Sequence, residues 1–371
     1  MQNIRAEVRL PTKDVRDDIP FFTKRLGMRL EKIFPADDPE VAVFSGHGLR
    51  ISVEKGISDP PATIRILADD PVLIAGGATE LTAPNGTRVE IAPLDPPVVM
   101  PEATQKFVVR RLADQAPWIV GRAGMHYRDL IPDRLGGAII ASHIRIPDGG
   151  PVPDMVHYHS VGFQLIFCYK GWVDLVYEDQ GPPFRLHAGN CVIQPPEIRH
   201  RVLYASDNIE VIEIGVPARH MTTIDHDMIL PNDTTNPARL FEGQRFVHHK
   251  ADEADWGVFR LPGLKSRDTT IAENTGGVAA VHVARKGDGE TVWSRHGAEI
   301  NFTFVIKGTM RLEGAGRMPA DLSEGDAFVV PPDVPTRYAD LSDDLEILEV
   351  SLPGTFATSL DGLQTDAQVA D

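Results

Sequence analysis

A duplication constrains this chain more than any other feature. The segment HYHSVGFQLIFCYKG, residues 157 to 171, shares its layout with SRHGAEINFTFVIKG, residues 294 to 308. Each is followed by a further Gly and then a Pro-Pro pair, so that Gly171 recurs as Gly308 and Gly189 as Gly325, at offsets of 137 and 136 residues. A repeat of this length means two similar domains in series. Short apolar runs rich in β-branched and aromatic residues, such as FQLIFCY, WVDLVY, HRVLY and IEVIEI, fill the first copy and alternate with Gly, Pro and Asp. That is a pattern of strands and turns. The expected fold is mainly β: two antiparallel jelly-roll barrels related by duplication, preceded by a small α+β domain.

At 371 residues the chain is longer than one hydrophobic core usually serves. We expect a first domain over 1–97, a first barrel over 98–240, a second over 241–357, and a loose tail over 358–371, where apolar periodicity is lost. The 32 glycines and 30 prolines suit turn-rich β structure. A net charge of −16, with no basic run, argues against a nucleic-acid partner, because phosphate binding needs a basic face. No stretch nears the ~20 apolar residues of a membrane span. Cys168 and Cys191 are too few for a disulfide framework, and a reduced cytoplasmic setting is the expectation.

The first copy carries a constellation absent from the second. Residues at i and i+2 on a strand share a face, so His157 and His159 can present both imidazoles to one ion. Gln164 follows five residues later, and His200 arrives after the turn PPEIR. Three converging imidazoles are a divalent-metal signature, whereas one histidine alone would be an ordinary core residue. At the equivalent positions of the second copy stand Ser294, His296, Asn301 and Thr336. That set is a poor metal site. The second barrel is therefore expected to be metal-free and structural, or to bind an organic group, with His296 a core residue.

Both motifs resemble those of the cupin superfamily. The first is similar to His-x-His, four residues, Glu, six residues, Gly, here His157, His159, Gln164 and Gly171. The second is similar to Gly, five residues, Pro-x-Gly, two residues, His, here Gly189, Pro195, Glu197 and His200. Two positions depart, Gln164 for Glu and Glu197 for Gly. An amide still offers a carbonyl oxygen but no charge, so the site is expected to be more electropositive than a three-His-one-Glu site.

The resemblance implies a bicupin holding one divalent metal in the first barrel through His157, His159, Gln164 and His200, with Fe(II) favoured over Mn, Ni or Zn. It further implies a dioxygenase of a small oxygenated substrate, an aromatic, enol or diketone compound, with O2 as co-substrate. Open alternatives are a non-redox cyclase, lyase or isomerase using Zn or Ni as a Lewis acid, and a non-catalytic ligand-binding protein. Glu213 is a candidate general base, or else orients a ligand histidine or faces water. Tyr204, four residues beyond His200, is a second catalytic candidate. The relatives often dimerise, and a homodimer is a further expectation.

The stretch from residue 8 to residue 54 reads as a β-α-β-β-β unit and resembles the first module of the glyoxalase/vicinal-oxygen-chelate superfamily. LTAPNGTRVEIAP, residues 81 to 93, resembles that family's closing hairpin, with Glu90 matching its ligand carboxylate. Glu7 stands where a first-strand histidine often does, and about 35 residues remain for the second module. The expectation is a degenerate packing or lid domain.

Overall fold

The computed structural model describes residues 5–114, 117–121 and 124–361. The chain divides into two compact units, Met1–Pro97 and Val98–Asp371.

In the first unit the strand Val8–Thr12 lies parallel to Leu49–Lys55, which continues antiparallel through Val41–Gly46 to Arg29–Phe34. A helix, Val15–Pro20, runs on into the helical turn Phe21–Arg25. Asp14 caps it by accepting from the Arg16 amide, and Gly27 leaves it with φ +69°. The helix buries Val15 and Phe22 against Leu10, Phe44, Ile51 and Val53. A smaller sheet repeats the pattern with one strand fewer: Thr63–Ala68 is parallel to Arg88–Pro93, which pairs antiparallel with Glu80–Thr82. The two candidate carboxylates of this unit are held by arginines, Glu7 by Arg50 and Glu90 by Arg65, each pair at 2.7 Å.

The second unit contains both barrels. In the first, a sheet ordered Val247–His249, Cys191–Ile193, Phe163–Lys170, Ile209–Val216, Ile140–Ile146, His126–Asp129, Ile119–Val120 faces one ordered Phe184–His187, Trp172–Tyr177, His200–Ala205, His157–Ser160, Met221–Ile224. In the second, Gly257–Val258, Leu264–Asp268, Ala280–Lys286, Glu346–Leu352, Ile300–Lys307, Ala327–Val329 and Val108–Arg110 form the larger sheet. Ala320–Ser323, Thr309–Gly314, Thr336–Ala339, Ser294–His296 and Thr358–Leu360 form the smaller.

Two edge strands are exchanged. Val108–Arg110, before the first barrel in sequence, pairs with Ala327–Val329 of the second, and Val247–His249 pairs with Cys191–Ile193 of the first. An edge strand offers unpaired backbone groups to any neighbouring segment, and here each barrel's edge is covered by the other's flanking chain. The boundary expected at 240/241 is thus not one in space. Residues Thr358–Leu360, expected in the tail, instead pair with Ser294–His296. Residues 362–371 lie outside the described residues.

Alternation along the central strands serves two cores. Phe163, Leu165, Phe167, Ile212 and Ile214 meet Ile300, Phe302, Phe304, Leu348 and Val350 in one cluster joining the two larger sheets. The intervening side chains, Ile166, Cys168 and Val211, turn instead into the first barrel. Both faces being buried explains why these strands read as continuous apolar runs rather than as strict alternation. Each such side chain stabilises the fold by roughly 1.5–3 kcal/mol. No helix among the described residues is long and apolar enough to cross a membrane.

Candidate metal centre

His157, His159 and His200 come together inside the first barrel, each offering a ring nitrogen within 4.8 Å of the others. They are 1%, 9% and 3% exposed, the strand alternation having placed both members of the His-x-His pair on the interior face. His157 stands directly opposite His200 in the antiparallel register, which brings their ring centroids to 4.2 Å.

The rings are held through Nδ1. His157 Nδ1 lies 2.8 Å from the Met155 carbonyl, His200 Nδ1 2.9 Å from the Ile198 carbonyl, and His159 Nδ1 2.8 Å from the Thr222 hydroxyl. A carbonyl only accepts, so in His157 and His200 the proton resides on Nδ1 and Nε2 carries the lone pair a metal requires. Asp154, buried, places Oδ1 3.7 Å from His157 Nδ1 while its Oδ2 accepts from the Val202 amide. Tyr177 stacks on His200 at 5.5 Å and accepts from Gln194, and burial pushes its hydroxyl pKa up.

Gln164 is 1% exposed on the same interior face as Ile166 and Cys168. Its Nε2 donates to Glu213 Oε1 at 2.7 Å, and its Oε1 is buried with no hydrogen-bond partner. A carboxylate can only accept, so this bond dictates which end of the amide faces Glu213. A buried carbonyl without a partner is costly unless something absent from the protein completes it. The three imidazole nitrogens are a donor set that fits a divalent transition ion, and the Gln164 oxygen is a further buried donor atom within the same barrel.

Glu213 stands on the barrel's interior face, where its carboxylate accepts the hydrogen bond that orients the Gln164 amide.

Tyr204 is a correction. It is 43% exposed and stacks on Trp172 at 5.9 Å, away from the histidines. The cause is a β-bulge: Val202 pairs with Leu175 but Tyr204 with Asp174, so the chain gains a residue between them. Val202 and Ala205 consequently face the interior, and Tyr204, expected there by simple alternation, points out.

Glu197, which replaces the motif glycine, holds φ +62°, in the left-handed region that glycine adopts freely. Asp333 takes φ +61° at the equivalent turn of the second barrel. The motif's glycine preference is thus conformational.

His220 had no sequence signal, yet its ring stands perpendicular to His159 with centroids 5.5 Å apart. Gly215 makes room for it, since a Cβ there would come within 2.9 Å of His220 Cε1. The second barrel has Phe356 against His296 in the corresponding place, at 6.0 Å. His296 itself bonds through Nε2 to the Val330 carbonyl. Among the described residues, the three histidines of the first barrel are the group suited to a metal.

Comparison with known proteins agrees with this architecture. Residues 281–351, in the second barrel, match the family model described as Cupin domain. The salicylate 1,2-dioxygenase of Pseudaminobacter salicylatoxidans superimposes with a TM-score of 0.52 at 16% identity, over 72% of this chain and 91% of that one. A variant of that enzyme in complex with gentisate gives 0.51 at 17% identity, over 71% and 88%. Oxalate decarboxylase from Bacillus subtilis gives 0.50 at 12% identity, over 72% and 81%. No curated protein sequence matches the chain. Residues 281–351 thus match a cupin domain, and the paired barrels share the fold of the two-barrel proteins on which they superimpose.

Proposed function

We propose that this bicupin is a metal-dependent enzyme acting on a small oxygenated compound, and that its reaction is the dioxygenation of an aromatic, enol or diketone substrate. The observation that carries the metal assignment is the buried triad with its Nδ1 atoms engaged, set beside a Gln164 carbonyl that lacks any partner within the protein. His157, His159, His200 and Gln164 would hold the ion, with Fe(II) favoured. When bound, it would supply Lewis acidity toward a chelating substrate oxygen and, if redox-active, a route for O2.

The protein's own contributions are positioning and exclusion. Glu213 holds the Gln164 amide, the Met155 and Ile198 carbonyls hold two imidazoles, and Thr222 holds the third. Val173, Leu175, Leu186 and Ile198 line the barrel with apolar surface that keeps water from a reactive intermediate. A neutral ligand set suits an anionic enolate or phenolate, which brings the negative charge the ligands lack. The fold likeness to a salicylate dioxygenase makes salicylate and gentisate the first compounds to try.

The test is elemental analysis of protein purified without added metal, paired with oxygen uptake against salicylate, gentisate, catechols, flavonols and 1,3-diketones. About one Fe, Mn or Ni per chain with substrate-dependent uptake supports the reading. Stoichiometric Zn without uptake would replace it with a non-redox cyclase, lyase or isomerase. No metal even after reconstitution would remove the metal assignment itself.

A further inference from the structure

We propose that the second barrel binds a small, uncharged, polyhydroxylated molecule in a pocket built around the Arg260–Glu349 ion pair. The duplication makes the argument possible. Glu349 occupies in the second barrel the place of Glu213 in the first, and Asn301 that of Gln164. Where the first barrel brings three histidines to these groups, the second brings a guanidinium: Arg260 Nε and Nη2 bond the two Glu349 oxygens at 2.8 and 2.5 Å. Glu349 is 1% exposed.

Such a pair is a poor device for stability, because apolar side chains of the same volume usually serve as well. Nor does the surrounding polarity complete itself. Asn301 Oδ1, Ser351 Oγ and His282 Nδ1 are buried atoms without a hydrogen-bond partner. Asn301 and Ser351 are paired across neighbouring strands, and so are His282 and Glu349, placing all four on connected strands of one sheet. A cavity of about 230 Å³ is lined by Phe259, Arg260, Ser266, His282, Glu349 and Phe356 among others, so that of the orphaned groups His282 reaches its wall while Asn301 and Ser351 lie on the strands behind it.

The chemistry of the lining selects the ligand. Arginine and glutamate cancel one another's charge in the pocket wall. A cation would meet Arg260 and a carboxylate would meet Glu349. Donors and acceptors are nonetheless present together, which is what hydroxyl groups, donating and accepting at once, can satisfy. Phe259 and Phe356 add apolar faces for the carbon skeleton of a sugar or cyclitol.

The experiment uses the full chain, with binding followed by saturation-transfer NMR and calorimetry. The probes are myo-inositol, D-xylose and D-glucose, with acetate and benzoate as anions. At least one polyol should bind saturably while neither anion does. Thr355→Trp, at an exposed position on the pocket wall, should weaken binding tenfold or more without altering the fold or the metal content of the first barrel. Glu349→Gln, which leaves Arg260 unpaired, should lose polyol binding and gain acetate or benzoate. The proposal is overturned if no polyol binds up to about 10 mM, if the wild type prefers the anions, or if folded Thr355→Trp binds polyol as well as wild type.

Discussion

Replacing Gln164 by Glu would install the residue of the His-x-His motif that this segment resembles, and the structure says that it should damage this site. Gln164 Nε2 sits 2.7 Å from Glu213 Oε1 as a donor. A glutamate would put a second carboxylate oxygen there. At that distance two unit charges repel by about 6 kcal/mol with an effective dielectric of about 20. Uptake of one proton relieves the clash and caps the penalty at about 4 kcal/mol at pH 7, the cost of protonating a carboxyl of ordinary pKa. We therefore expect Gln164→Glu to lose roughly 2–4 kcal/mol of apo-protein stability. Glu213→Gln alone should lose about 1–2 kcal/mol, a charge-assisted hydrogen bond. The double variant exchanges donor and acceptor and should recover most of the loss, giving a coupling of at least about 1.5 kcal/mol. Urea unfolding at pH 7 in the presence of a chelator measures all four proteins. If the two single effects add to within about 0.5 kcal/mol, the contact does not orient Gln164 and the reasoning fails.

Three further outcomes follow from the same structure. His200→Ala should abolish stoichiometric metal binding while circular dichroism stays unchanged, and His296→Ala should leave metal content intact; a fully metallated His200→Ala protein would show that the ligands were misassigned. Burial depresses both His248 and His249 to a pKa of about 4. Because the unfolded chain binds these protons first, stability should be full above about pH 6.5 and fall as pH drops toward 4, by up to roughly 3 kcal/mol per histidine before discounting solvent screening at the partly exposed His248. A His248→Phe/His249→Phe protein whose unfolding keeps the wild-type pH slope in that window would contradict this. At Glu197, with φ +62°, glycine should be neutral or stabilise by up to ~1 kcal/mol, whereas the β-branched Glu197→Val should destabilise by about 1–2 kcal/mol; thermal unfolding in which valine matches glycine would refute the strain.

The order of side chains along the chain determined much of this protein. A repeat at constant offset implies two like domains, and period-two alternation with a His-x-His pair sends two imidazoles to one face, because both are consequences of local backbone geometry. The convergence of the three histidines and the paired barrels were legible for that reason. The first unit's β-α-β-β-β order was legible too, from its turn and helix signals.

What depended on contacts between distant residues was not. The bulge that turns Tyr204 outward exists only in the pairing of Trp172–Tyr177 with His200–Ala205. Glu213 reaches Gln164 across 49 residues, and Arg260 reaches Glu349 across 89. His220 approaches His159 because Gly215 leaves space, and the two barrels cover one another's edges with exchanged strands. Alternation is a property of one strand, but register, bulges and the partner of a buried polar group arise only when strands pair, and so only the tertiary structure decided them.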